Sequence, residues 1–466
     1  MTTSIKRKDL YLFSRIVNRV FGQHHKLRYG LLTPTAEGME LAITDSDAAV
    51  RLRLDGRIAE QRLIPWTLIK ETADKTDDPV ELEYGEKNIT VRFTNRGIPK
   101  QENYPLENNL NIQLPKLPEQ FESEPDSFFD RLTDASHYTD ANSTRYPLAY
   151  LALDGAKGYI NATDGQAAIQ YTGEKFPWSN LVLVPASKLF TTKEFRDLGI
   201  AEIGSHENWF TVRCGNCTVQ FKTCEGRYPV VDRFFQSEDS MNTWVMLDEC
   251  EADFLVRTID ELPGTKIPHQ PVTIEIKDGI ACLRAAEKLG NPTAELRLPG
   301  SICQGIDAVT SVNRNVFKKI IKSGCRKIGI NGQKDIILLL GENRRVACMP
   351  LELMPITPAE DMAIISVTDS VKAIVKPQSP KHPVKTDVAR APVLQTAARA
   401  VKKEKVSEPT TENVGAIQTA ELLVSALRDA LTHANGLLRQ TKVDARKRKA
   451  IKQTLDSIRQ LQNIDA

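Results

Sequence analysis

The chain has 466 residues, 41% of them apolar and 26% charged, with a formal net charge of +2. That length is a prior of about three domains of roughly 150 residues, and no run approaches the roughly 20 apolar residues of a membrane span. The charge is divided: residues 371–466 hold 18 Lys and Arg against 9 Asp and Glu, leaving a body of 44 against 51, and an acidic body argues against a protein that simply coats nucleic acid.

The opening MTTSIKRKDLY lacks the apolar stretch of a signal peptide, which places the chain in the cytoplasm. Eight dispersed cysteines (Cys214, Cys217, Cys224, Cys250, Cys282, Cys303, Cys325, Cys348) without a secretory signal read as free thiols.

In chain order, KRKDLYLFSRIVNRV sets Leu10, Phe13 and Val17 at helical spacing, with Lys6, Arg7, Lys8, Arg15 and Arg19 as its cations. A hairpin pattern, LAITDSDAAVRLRLDG, follows around Thr44 and Asp45. From Ile64, IPWTLIKETADKTDDPVELEYGEKNITVRF reads as a short amphipathic helix, a strand, a turn and a second strand. The series then recurs. DSFFDRLTDASHYTD is helical, INATDGQAAIQYTG returns the hairpin 119 positions on at Thr163 and Asp164, and VPASKLFTTKEFRDLGIAEIGSHENWFTVRC begins at Val184, 120 after Ile64. A third round has DECEADFLVRTIDELPG, a weaker hairpin CLRAAEKLGNPTAELRLPG from Cys282, and SVNRNVFKKIIKSGCRKIGINGQKDIILLL from Ser311. Units this long are not solenoid repeats, which run about 20 to 45 residues. They predict an arc of globular domains that an oligomer closes into a ring.

No chemistry of a catalyst stands out. Cys214 and Cys217 have CxxC spacing but no second pair to complete a zinc site, and Gly215-Asn216 between two strand patterns reads as a two-residue hairpin turn. There is no GxxxxGK phosphate loop, no repeated acidic pair to hold a nuclease metal, and the adjacent His24 and His25 point apart. The chain is expected to be no enzyme, with no cofactor and no metal.

Past residue 355 the composition changes. Pro377 to Gly415 is rich in Pro, Lys, Ser and Thr, so 356–415 is expected to be a disordered linker. Residues 416–466 set Leu423, Leu427, Leu431 and Ala434 on one stripe and Ile451, Leu455, Ile458 and Leu461 on another. They predict a helical hairpin, breaking near Gln440 to Asp444, or one long coiled-coil helix that recruits an unknown partner or self-associates. The run Arg446 to Lys449 with Lys452 suits nucleic acid or a solvated helix face equally.

Three motifs carry a family resemblance: RYPLAYLALDGAKGYINATDGQAAI from Arg145, EGRYPVVDR from Glu225 to Arg233, and VACMPLEL from Val346 to Leu353. In their order and separation, residues 1 to about 355 resemble the bacterial sliding clamp, the beta subunit of DNA polymerase III. The resemblance implies an α+β DNA-clamp fold of three repeated domains, at 1–122, 123–240 and 241–355, each packing two helices on antiparallel sheets. It implies a homodimer ring, helices lining the hole, that holds double-stranded DNA topologically and without sequence preference, opened by a clamp loader and conferring processivity on a DNA polymerase. The implied DNA-facing residues are Lys26, Arg28, Arg145, Tyr146, Lys188, Lys193, Arg196, Lys318, Lys319 and Lys322, with Arg314, Arg326 and Lys327 on the same helical segment.

The implied pocket for partner peptides, between the second and third domains, corresponds to Thr163, Gly165, Gln166, Ala167 and Ala168 with Met349, Pro350, Leu351 and Leu353. Here the chain departs from the family, which usually has His-Arg-Leu where this sequence has Gln166, Ala167 and Ala168, a proline at Gln236 and a basic residue at Glu352. Leu to Ala removes roughly 2 kcal/mol of contact in a filled pocket, so the usual peptide is expected to bind weakly. The added tail also departs. The alternative is a clamp-fold scaffold that tethers partners through that tail without being the replicative clamp.

Overall fold

A computed structural model describes residues 2–107, 112–143, 147–288, 291–352, 356 and 363–366. Arg145, Tyr146, Leu353, most of the predicted linker and all of the helical tail lie outside the described residues.

Each repeat opens on a strand that runs into a helix. The first comprises β1 (Thr2–Lys6), α1 (Arg7–Val20), β2 (Tyr29–Pro34), β3 (Met39–Thr44), β4 (Ala48–Leu54), β5 (Arg62–Pro65), α2 (Trp66–Thr72), β6 (Pro79–Tyr84), β7 (Asn88–Asn95) and β8 (Ile98–Pro105). The second comprises β9 (Glu122–Glu124), α3 (Ser127–Ser136), β10 (Tyr150–Asp154), β11 (Tyr159–Thr163), β12 (Ala167–Thr172), β13 (Leu181–Pro185), α4 (Lys193–Arg196), β14 (Ala201–His206), β15 (Trp209–Cys214) and β16 (Cys217–Lys222). The third comprises β17 (Thr243–Met246), α5 (Glu249–Thr258), β18 (Pro271–Lys277), β19 (Ile280–Lys288), β20 (Asn291–Leu298), an inserted β21 (Ile302–Gly305), β22 (Ala308–Asn313), α6 (Arg314–Lys322), β23 (Lys327–Ile330), β24 (Ile337–Gly341) and β25 (Arg344–Cys348). After it comes β26 (Ala363–Ser366). The fold is thus α+β, three repeats of two helical segments on antiparallel sheets, and no helix among the described residues is long and apolar enough to cross a membrane.

The helices form where one apolar stripe meets a sheet. α1 buries Leu10, Phe13, Ile16 and Val17, spaced three and four apart as an inward helix face requires. Asn313 accepts from the backbone N–H groups of Asn315 and Val316 at 3.0 and 3.4 Å, capping the start of α6, and Asp248 caps α5 in the same way. The second helix of the middle repeat departs from the sequence reading. It is a 3₁₀ turn, Lys188–Thr191, then the single turn α4, because Thr192 between them is extended (φ −83°, ψ 107°) and turns its hydroxyl back to donate to the Lys188 carbonyl. β-branched Thr191 and Thr192 disfavour an unbroken helix there.

Sheet composition follows the repeat. One half of the sheet strands in each repeat, those between its two helical segments, has the order β5-β2-β3-β4, β13-β10-β11-β12 or β22-β18-β19-β20; the other half, the opening strand with the three after the second helical segment, has the order β1-β6-β7-β8, β9-β14-β15-β16 or β17-β23-β24-β25, the last extended beyond β17 by β21. The halves join across repeats: β4 pairs antiparallel with β16, Val50 opposite Val219, and β12 with β25, Ile169 opposite Val346. Two composite sheets result, of eight and nine strands, and among the described residues β1-β6-β7-β8 has no continuation beyond β8.

The CxxC pair sits at the β15–β16 turn, Cys214 opposite Cys217, with Gly215 at φ +54°, the positive φ that a tight hairpin turn needs at its first central residue. Both cysteines are fully buried, and burial pushes the Cys214 thiol up to about 12.

Glu124 on β9 is 5% exposed, and burial, with Glu174 and Glu122 nearby, pushes its carboxyl up to about 8. A carboxyl that holds its proton more tightly folded than unfolded stabilises the fold below its unfolded pKa, and that contribution is lost as pH rises through the folded one. Glu124→Gln is therefore expected to melt above the parent chain at about pH 8.5 and with it at about pH 4. Thermal midpoints across that range check this.

Candidate partner cavity and DNA-facing surface

The turn between β11 and β12 explains why Thr-Asp recurs at an interval of 119. Thr163 Oγ1 donates to the Ala167 carbonyl at 2.8 Å, while Asp164 Oδ1 accepts from the backbone N–H groups of Gln166 and Ala167, both at 2.9 Å. The β3–β4 turn repeats this with Thr44, Asp45, Asp47 and Ala48. Such side-chain-to-backbone bonds replace ladder bonds at a turn. Gly165 supplies a φ of +86° that a side chain would strain.

That turn forms one rim of an apolar cavity of about 430 Å³ over the β12–β25 seam. Of the pocket residues that the resemblance implies, Thr163, Gly165, Gln166, Ala167, Ala168 and Met349 line it. The Met349 N–H donates to the Gln166 carbonyl at 2.9 Å, tying the closing segment to the turn. Pro350 and Leu351 do not line it. The chain bends there, and the Leu351 N–H donates to the Ser311 carbonyl at 2.7 Å, carrying the segment onto β22.

The sequence reading missed Pro229, Val230, Val231, Arg233 and Phe234, with Leu148 and Ile336. Five of these lie in the EGRYPVVDR motif and its next residue. The motif was legible as a family mark, but nothing in its pattern says that the segment crosses the outer face of the composite sheet. It is held there by Val231 and Phe235, which pack with Ala168, Ala347 and Leu338, and by Asp232, which accepts from Gln170 at 3.0 Å. Val230 and Met349 stay about half exposed, so the cavity presents apolar walls to the outside, the usual makeup of a ligand site.

The implied DNA-facing cations divide into two groups. Lys26, Arg28, Lys188, Lys193 and Lys322 are exposed, although Lys193 lies 4.0 Å from Asp197. The others among the described residues are engaged. Arg196 pairs with Asp130 on α3 at 2.8 Å, and Lys318 with Asp260. Lys319 turns into the joint between repeats, its ammonium 4.0 Å from the Tyr138 ring centroid and 3.1 Å from Asp164. Arg15 plays the matching part at the other joint, on Glu194 at 2.9 Å.

Of three further cations of the sequence reading, Arg314 and Arg7 are corrected by their burial, and Arg326 is engaged within the fold. Arg314 is fully buried and donates to the Leu262 and Pro263 carbonyls. Arg7, 3% exposed, donates to those of Thr72 and Thr94. Arg326 donates to the Ile321 carbonyl and pairs with Glu249. In each the guanidinium fork satisfies backbone acceptors, a use that charge patterning along a helix does not reveal. Lys327 pairs with Glu238 and lies over Trp244. Among the described residues no group of three or more His, Cys, Asp or Glu is placed to hold a metal ion.

Neither a protein-family model nor a curated protein matches the sequence. Solved structures do. The DNA polymerase III subunit beta from Pseudomonas aeruginosa aligns at TM-score 0.64 and 18% identity, covering 76% of this chain and 100% of its own. The beta subunit of DNA polymerase from Streptococcus pyogenes aligns at 0.62 and 14%, covering 75% and 100%, and the DNA polymerase III beta chain from Streptococcus pneumoniae at 0.61 and 15%, covering 75% and 99%. The chain has the sliding-clamp fold. The clamp structures are covered nearly whole, so the added length belongs to this chain, and identity this low speaks for the fold alone.

Proposed function

We propose that the chain is a non-catalytic sliding clamp, two copies closing head to tail around double-stranded DNA and conferring processivity on a DNA polymerase after a clamp loader opens the ring. One observation carries this reading. Two of the junctions that the repeat allows, β4–β16 and β12–β25, are made within the chain, and the third, β20 with β8, has its halves at opposite ends of it. A second copy supplies what one chain lacks, twice over, and the result is a closed ring. The domain limits 1–122, 123–240 and 241–355 and a cytoplasmic location belong to this proposal. So do DNA contacts by Lys26, Arg28, Lys188 and Lys322, which none of the described ion pairs engages, and the cavity over the β12–β25 seam as the seat of partner peptides.

Such a ring holds DNA by topology, with phosphate contacts that carry no sequence information. The experiment is solution mass by light scattering, coupled to retention on nicked circular DNA before and after linearisation, with a clamp loader supplied. A dimer that stays on circles and leaves linear DNA is the expected result; a monomer, or retention indifferent to ends, overturns the reading.

At the cavity, Met349→Lys is expected to weaken binding of an apolar clamp-binding peptide by about tenfold or more, the worth of one buried Met side chain. Fluorescence anisotropy with a labelled peptide checks it.

A second reading, a clamp-fold scaffold that tethers partners by its C-terminal tail, is favoured by the charge pairing. Arg196 and Lys318 on the second helices are offset by acids from the first helical segments, Asp130 and Asp260, which lowers the positive field available to DNA.

A further inference from the structure

The β20 edge, which the ring reading assigns to a second copy, already carries a strand. β26 runs parallel along it, with Ala294 opposite Ala363, Glu295 opposite Ile364, Leu296 opposite Ile365 and Arg297 opposite Ser366. The corresponding slot beside β4 holds β16, and that beside β12 holds β25. β26 therefore stands where a domain's closing strand stands at both internal junctions. It differs in direction, since β16 and β25 are antiparallel to their neighbours.

The path to that edge is anchored. After β25 the Leu351 N–H donates to the Ser311 carbonyl on β22, and the Ile356 N–H donates to Thr273 Oγ1 on β18 at 3.0 Å, with Ile356 only 3% exposed. Ser311, Thr273, Arg284 and Glu295 stand opposite one another across β22, β18, β19 and β20, and Ile364 on β26 continues the row. All four polar residues are buried. Buried polar groups persist only with partners, and these have them: the Thr273 and Ser311 hydroxyls are 3.1 Å apart, and Arg284 Nε meets Glu295 Oε2 at 2.6 Å. The described residues of the extension thus touch β22 at Leu351 and β18 at Ile356, and at β26 they occupy the slot that closure needs.

We propose that β26 is an autoinhibitory strand: it occupies the β20 edge, competes there with β8 of a second copy, and must leave before the ring closes. This rests on the ring reading given above. The contact is suited to release. It spans four residues, it is parallel and so slightly weaker per residue than the antiparallel ladder that replaces it, and Ile364 remains half exposed. The clamp is then held open by its own C-terminal extension until a partner of that extension, or a second copy at sufficient concentration, draws β26 away.

The test uses the full chain carrying Ile364→Pro and Ile365→Pro together. Successive residues of a strand point their N–H groups to opposite sides, so changing both removes a donor toward β20 whichever of the two provides it. Dilution series by light scattering are expected to give a dimer dissociation constant at least about tenfold lower than the parent's, and amide exchange at Glu295 to Arg297 is expected to quicken in the monomer. A dimer formed by the variant alone supports the proposal most strongly. Equal dissociation constants, or unchanged exchange along β20, overturn the inhibitory strand while the ring stands. If neither chain dimerises at any concentration, the ring reading fails and the strand's role falls with it.

Discussion

Arg284→Ala is expected to destabilise the third repeat by about 3–5 kcal/mol, the usual cost of removing one partner from a buried ion pair. The Arg284 side chain is 6% exposed and lies between Glu295, 3% exposed, and Glu275, 22% exposed. Its guanidinium satisfies both carboxylates, and Arg297 Nε reaches Glu295 Oε1 at 2.7 Å from the more exposed side. Without Arg284, Glu275 loses its guanidinium partner and Glu295 keeps only the half-exposed Arg297. Burial opposes the charged form of Glu295, but the Arg297 and Arg284 contacts overcome it and hold its carboxyl below the usual range. A depressed carboxylate stabilises the fold above its unfolded pKa and loses that contribution as pH falls through the folded one. The parent should therefore lose its advantage over Arg284→Ala in acid. Calorimetry should show the third repeat melting roughly 10 °C or more below the parent at neutral pH. The double variant Arg284→Met with Glu295→Leu should recover most of the loss, since a buried pair replaced by apolar groups of similar size is often close to neutral. A single Arg284→Ala chain that melts with the parent would show the network to be solvated.

Much of the architecture was legible because two periodicities survive in the sequence. The helical spacing of Leu10, Phe13 and Val17 and the Thr-Asp turns at Thr44 and Thr163 each have a local physical cause, a buried stripe in one case and side-chain-to-backbone bonds in the other. The cavity was half legible. Its β12 rim and Met349 lie in motifs, while Ile336 and Leu148 stand in the loops just before β24 and β10, whose meeting depends on the β12–β25 pairing. Strand pairing between distant segments leaves little local trace beyond alternation. The cations were the least legible. Arg314, Arg7 and Lys319 share a sequence context with Lys322 and Lys188, and only packing separates a guanidinium that caps carbonyls from an ammonium in water. β26, Ala-Ile-Ile-Ser, falls inside 356–415, the stretch expected from the sequence to be a disordered linker, on a composition that is marked only from Pro377 onward.

The β8 edge sets the second large expectation. The Leu106 N–H donates to the Lys87 carbonyl on the turn before β7, so by the alternation of an antiparallel ladder residues 104, 102 and 100 also face β7. Residues 99, 101, 103 and 105 then face the free side. Two of these are Pro99 and Pro105, which have no N–H to offer. The edge therefore presents two donors, Gln101 and Asn103, between two residues that cannot pair, and exposed Lys100 beside them adds a charge of the kind that guards edges against promiscuous pairing. Gln101→Pro with Asn103→Pro removes both outward donors and leaves the bonds to β7 in place. If β8 closes the ring against β20, the dimer dissociation constant should rise by about 100-fold or more, since each lost inter-strand bond also strands an acceptor on β20, and retention on circular DNA should disappear while circular dichroism stays that of the parent. Retention that survives would place closure on another surface. The sparseness of this edge also bears on β26: if β8 is the closing strand, its two outward donors make a weak enough ladder for a four-residue parallel strand to compete with it.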